Sequence, residues 1–177
     1  MKILKRILFG ILGLIVLLLI IALFVPKQYT VSVSETIKRP SKDVFDYVRI
    51  LDNQKYYSIW LMKDPNLNPE IVGTDGTLGA IQKWNSTNDE VGEGEQEITG
   101  LTDNRIDVAL RFKRPFEGEA KAAMMIKSTS PEETVLTAEF YSDSKYPFNL
   151  PAYVFGKKMM EEAEAQNLKN IRQNLEK

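Results

Sequence analysis

The chain changes its hydrophobic rhythm once, near residue 26. Before that point Ile7 to Val25 is an uncharged run of nineteen residues, relieved only by Gly10, Gly13 and Ala22. As a helix rising 1.5 Å per residue it would be about 28 Å long, close to the roughly 30 Å of a bilayer's hydrocarbon core. After that point the pattern becomes two-residue alternation. Tyr29, Val31, Val33, Glu35 and Ile37 interleave with Thr30, Ser32, Ser34 and Thr36, which predicts a half-buried strand. Glycines at 73, 76 and 79 punctuate a hairpin between strands at about 70–74 and 80–85. A strand follows at 92–101, then inward rows at Ile106, Val108, Leu110 and Phe112, at Ala120, Ala122, Met124 and Ile126, and at Leu136, Ala138 and Phe140, with Pro115–Phe116 turning the chain. Strands of this kind carry one wet face and one covered face.

Two short helices are expected after the first strand. Ser41 suits an N-cap, Asp43 suits the positive end of a helix, and Val44, Phe45 and Val48 give a buried side. The second should start near Asn53, carry Tyr56, Tyr57, Trp60 and Leu61, and end in the loop 62–69. The long final helix runs from Pro151 to Leu175. Ala152, Phe155, Gly156, Met159, Met160 and Ala163 recur at spacings of three and four, whereas Leu168, Ile171 and Leu175 lie about a quarter-turn round. The first half-stripe then faces a pocket and the second packs on another neighbour; the competing reading is one curved helix on a filled core. Methionines at 124, 125, 159 and 160 would suit a deformable cavity wall.

Charge and composition narrow the functions. Lys2, Lys5 and Arg6 precede the apolar run and Lys27 follows it, so the span should hold the N-terminus in the cytoplasm and the globular part outside. A cleaved signal peptide is the rival, but the run is long for one and no small-x-small cleavage site precedes Pro26. The expected organisation is a basic tail at 1–6, a transmembrane anchor at 7–25 and one domain at 29–175. Four of the 23 basic residues and none of the 24 acidic ones lie before residue 28, which leaves the domain at −5. That sign argues against nucleic acid and against a domain held flat on anionic lipid. The chain has no Cys and no His, which removes thiol nucleophiles, Ser-His-Asp triads and most transition-metal sites. No catalytic residue, metal ligand or cofactor is assigned.

Candidate chemistry is thin. Glu93, Glu95 and Glu97 share one face of a strand, and paired carboxylates can exchange protons. With Gln96 and Ile98 opposite them, the expected place for this face is outside; turned inward, it would set a carboxylate beside Arg111. The glycine cluster at 73–79 lacks the Gly-Lys-Ser/Thr ending of a phosphate loop.

The order Ile37-Lys-Arg-Pro40, Val44-Phe45 and Trp60, then 73–79, Trp84 and the long last helix, resembles the START-like (SRPBCC, Bet v 1-like) superfamily, and more narrowly its polyketide cyclase/dehydrase branch. The resemblance covers about residues 29–175. It implies an α+β helix-grip fold: a curved antiparallel sheet of six or seven strands, two short helices after the first strand, and the long C-terminal helix against the concave face. It also implies a pocket for a lipid or other hydrophobic small molecule between sheet and helix. The expected lining is Tyr56, Trp60, Trp84, Phe112, Met124, Phe140, Phe148, Phe155, Met159 and Ala163. Ligand binding leads; a protein-interaction domain and a cyclase- or dehydratase-type enzyme are the alternatives, the last weakened by the lack of His.

Overall fold

The computed structural model describes residues 2–177, so Met1, at the head of the expected tail, lies outside the described residues. Seven strands follow the alternation: β1 (Gln28–Ile37), β2 (Glu70–Val72), β3 (Ile81–Asn85), β4 (Glu93–Thr102), β5 (Arg105–Arg114), β6 (Gly118–Ser130) and β7 (Glu133–Asp143). They form one antiparallel sheet in the order β1-β7-β6-β5-β4-β3-β2. Register shifts at Glu93/Gly94 and Ile98/Gly100 mark bulges in β4, and bulges bend a strand and sharpen its twist. A helix can therefore lie across the concave face. The expected helix-grip arrangement is the one observed.

Ahead of the sheet, α1 (Lys2–Phe24) is long and apolar enough to cross a membrane and lies almost wholly exposed, with only Ala22 buried. After β1, α2 (Ser41–Val48) buries Val44 and Val48. Ser41 is not its cap. Pro40 holds that position and its carbonyl accepts from the Asp43 and Val44 amides, so Ser41 is the first helical residue.

The second expected helix is instead two 3₁₀ turns, Leu51–Tyr56 and Leu61–Lys63. Its start is capped, and its middle is diverted, by side chains of other elements. The Asp75 carboxylate takes the Leu51 and Asp52 amides at 2.8 and 3.1 Å, and Asn167 Oδ1 takes the Ile59 amide at 2.9 Å. Ile59 therefore cannot continue an i→i−4 ladder, and the segment is tied to the C-terminal helix instead.

That helix runs over 149–175: a first turn α3 (Asn149–Pro151), a π turn (Ala152–Gly156), then α4 (Lys157–Leu175). Its two halves do different things. Leu168 and Ile171 are fully buried against Ile37, Val44, Leu136 and Ile126, at the end of the sheet where β1 finishes. Arg172 extends this seam by pairing with Glu35, the one charged member of the β1 inward row. The earlier half stands over the opposite end of the sheet. The wider π turn changes the angular step there, so Phe155 leaves the face shared by Ala152 and Gly156 and is 73% exposed.

Candidate functional site

Between the first turns of the C-terminal helix and the far end of the sheet lies a cavity of about 500 Å³. Small residues keep it open. Ala152 and Gly156 face it from the helix and Ala120, Ala122 and Ala138 from β6 and β7. Gly156 has a packing reason, since a Cβ there would sit 3.1 Å from the Tyr29 hydroxyl. Leu110, Phe112, Met124 and Phe140 complete the sheet wall, and Met159 and Met160 the helix wall.

Trp84 is placed by the bulge. Its ring lies so close over Gly94 that a Cβ there would meet Trp84 Cζ2 at 2.6 Å, and it meets Phe112 edge-on with centroids 6.2 Å apart. Trp60 also lines the cavity, with Lys63 Nζ 4.9 Å from its ring centroid.

One wall is polar. Gln82 and Gln96 occupy inward positions of β3 and β4 and are 1% and 4% exposed. Gln96 Nε2 donates to Gln82 Oε1 at 2.6 Å and to Gln54 Oε1 at 2.7 Å, while Gln82 Nε2 donates to the Leu51 carbonyl at 2.8 Å. Beside this amide chain stand Tyr57, Glu164 and Asn167. Burial holds the Tyr57 phenol well above its ordinary range, so it stays neutral. Burial likewise raises the Glu164 carboxyl, opposed by the Asn167 amide, which donates to Glu164 Oε2 at 3.4 Å. The cavity thus has a long apolar part and one hydrogen-bonding end. No cluster of acidic side chains fit to hold a metal ion occurs among the described residues.

Six of the ten expected lining residues face this space: Trp60, Trp84, Phe112, Met124, Phe140 and Met159. Four do not. Tyr56 is on the outer side of its 3₁₀ turn, Phe148 and Phe155 are exposed, and Ala163 is buried but does not line the cavity. Of these, Phe148 directly precedes Asn149, whose side chain reaches the foot of α1. Glu93, Glu95 and Glu97 lie on the convex face, where Arg111 Nε donates to Glu95 at 2.7 Å and the same guanidinium pairs with Glu97, while Lys113 and Arg114 hold Glu93. The inward placement of this face is thereby excluded.

Sequence reasoning passed over Glu164 and Asn167. The signal was present: both continue the Ala152–Gly156–Met160 face at helical spacing, and a carboxylate on an apolar stripe is the informative exception.

No protein-family model matches this chain, and no curated protein matches it. Solved structures do. A START superfamily protein from Mycobacterium smegmatis superposes with a TM-score of 0.63 at 14% identity, over 83% of this chain and 97% of that one. Ara h 8.0201, a Bet v 1 allergen, gives 0.60 at 14% identity over 84% and 97%. DynU16, from the dynemicin biosynthetic locus, gives 0.58 at 14% over 83% of this chain and 47% of its own. With its seven-stranded antiparallel sheet gripping a long C-terminal helix, the chain has the Bet v 1/START-like fold.

Proposed function

We propose that this chain is a membrane-anchored domain that holds a lipid or other hydrophobic small molecule between its sheet and its C-terminal helix. The observation that carries the reading is the cavity of about 500 Å³, within the range of small-molecule sites. Its apolar walls would take an acyl or ring body, gaining about 25 cal/mol per Å² of apolar area removed from water. Its polar end favours an amphiphile, with one hydrogen-bonding group meeting Glu164 and the Gln54–Gln96–Gln82 chain. In this reading α1 spans the bilayer over residues 7–25, with Lys2, Lys5 and Arg6 on the cytoplasmic side and the domain outside.

The chain's two tryptophans, Trp60 and Trp84, both line the cavity, so intrinsic fluorescence reports its contents. Titrating the full chain with a brominated fatty acid should give saturable quenching. Ala122→Phe, which places a ring in the cavity, should remove the saturable phase. Quenching that is linear in probe and equal in both proteins would reject the reading.

A further inference from the structure

The foot of α1 is fastened to the domain by side chains, and its bearing on lipid rests on the reading of α1 as a membrane span. Ala22 stands four residues before Pro26, which has no N–H to return to it, so the helix leaves that carbonyl open. Asn149 supplies the missing donor: its Nδ2 reaches Ala22 O at 2.8 Å and Val25 O at 2.9 Å. The Tyr146 hydroxyl donates to Leu19 O at 3.3 Å, and the Ser144 amide to Lys27 O at 2.8 Å. Asn149 is 1% exposed and among the described residues its Oδ1 has no partner, a burial that costs about 1–3 kcal/mol in general. The hydrogen bonds of this buried side chain therefore run to the carbonyls of α1.

The length of the span then fixes a depth. A run of nineteen residues reaches about 28 Å, with no surplus over the hydrocarbon thickness, so Leu19 to Val25 must be used to cross. A segment hydrogen-bonded to Val25, Ala22 and Leu19 then starts at the boundary of headgroups and acyl chains and, at Leu19, reaches about 9 Å below it. In that segment Phe148 is exposed, and Phe155 is exposed about two turns further along the same helix; bulky apolar side chains of this kind are the ones that enter the headgroup–acyl boundary. The cavity is at the same end. β1 begins there at Gln28 against Asp143, and the register carries that end across β7 and β6 through Ala120↔Ser142 and Phe112↔Gly118. The exposed side chains of the cavity rim include Phe116, at the β5–β6 turn, and Met159.

We propose that the domain is seated on the bilayer, not tethered above it: Phe148 and Phe155 enter the lipid interface, and the cavity mouth between Phe116 and Met159 opens onto the leaflet, from which its occupant is exchanged directly.

Because the chain has no cysteine, single labels can be placed freely. The full chain, in phosphatidylcholine vesicles containing headgroup- and acyl-nitroxide lipid, is labelled at Phe148→Cys, Phe155→Cys, Phe116→Cys or, at the opposite end of the sheet, Ser130→Cys. The labels at 148, 155 and 116 should lose fluorescence to the lipid nitroxide and be shielded from an aqueous quencher, while that at 130 should behave in reverse. Labels at 148 and 155 as open to water as that at 130 would overturn the seating. A water-exposed label at 116 alone would overturn the direct route. Asn149→Ala should release the domain, with loss of lipid quenching at 155 while α1 stays inserted; unchanged quenching would remove the clamp from the account. None of these readouts needs a ligand, so their failure is separate from failure of the binding reading. The intact mass of the vesicle-bound chain checks the span independently.

Discussion

Truncating one side chain in each half of the C-terminal helix separates a filled core from an open cavity. Leu168 is fully buried and packs among Ile37, Leu136 and Ile171, so Leu168→Ala leaves a closed void. Leu-to-Ala changes of this kind cost about 3–5 kcal/mol. For a domain of this size each kcal/mol lowers Tm by about 2–4 °C, which gives a drop of about 6–20 °C. Met160 lies two turns earlier on the same helix, but its side chain already borders open space. Met160→Ala enlarges that space without closing a new one, and should cost about 1 kcal/mol or less. Thermal unfolding of the full chain, followed by near-UV circular dichroism, measures both. An apolar ligand at a hundredfold excess over its Kd would add about 2.7 kcal/mol to wild type and to Leu168→Ala alike, since Leu168 does not touch the cavity wall. Met160→Ala matching Leu168→Ala in Tm loss would refute the division of the helix, because it would mean that Met160 sits in an ordinary filled core.

Other consequences arise from particular contacts. Burial raises the Glu164 carboxyl above its ordinary value of 4.5, so the folded state holds that proton more tightly than the unfolded chain does. Its contribution to stability is complete below the unfolded value and is lost as pH rises through the folded one; Glu164→Gln should flatten this dependence and be the more stable protein at neutral pH, as chemical denaturation at mildly acidic and neutral pH will read. Gln96→Leu strips partners from the Gln54 and Gln82 side chains, each left unsatisfied at about 1–3 kcal/mol, measurable as a lower urea midpoint. Gly92 has φ +67° and a Cβ there would lie 2.1 Å from the Arg114 carbonyl, so Gly92→Ala should destabilise by about 2 kcal/mol or more and loosen the β4–β5 pairing, seen as faster amide exchange in those strands.

What the sequence disclosed and what it hid divide along physical lines. Strand periodicity is local, so rows such as Leu110–Phe112 and Ala120–Ala122–Met124 could be read directly, and the outward Glu93–Glu95–Glu97 face followed from Gln96 and Ile98 opposite it. The second short helix is split into two 3₁₀ turns where the Ile59 amide is claimed from a distance by Asn167, which no local pattern records. Phe155 was misplaced because a π turn is invisible to a 3.6-residue template. Tyr56 and Tyr57 show the same limit: adjacent and chemically alike, one is exposed and the other buried against the core. The polar end of the cavity was legible only in part. Gln96 could be placed inward by alternation, but its bonds to Gln54 and Gln82 depend on how β3, β4 and the 3₁₀ turn meet in space. The Asn149 clamp at the foot of α1 joins residues more than 120 positions apart and left no mark in the sequence beyond a proline at 26 and an asparagine between two prolines.

Whether the cavity holds a hydrophobic molecule is read by native mass spectrometry of the purified full chain, run beside Ala122→Phe. Wild type should carry a bound apolar species of defined mass, recovered by organic extraction and missing from the variant. The same mass spectrum for both proteins, whether bare or carrying identical lipid, would contradict it.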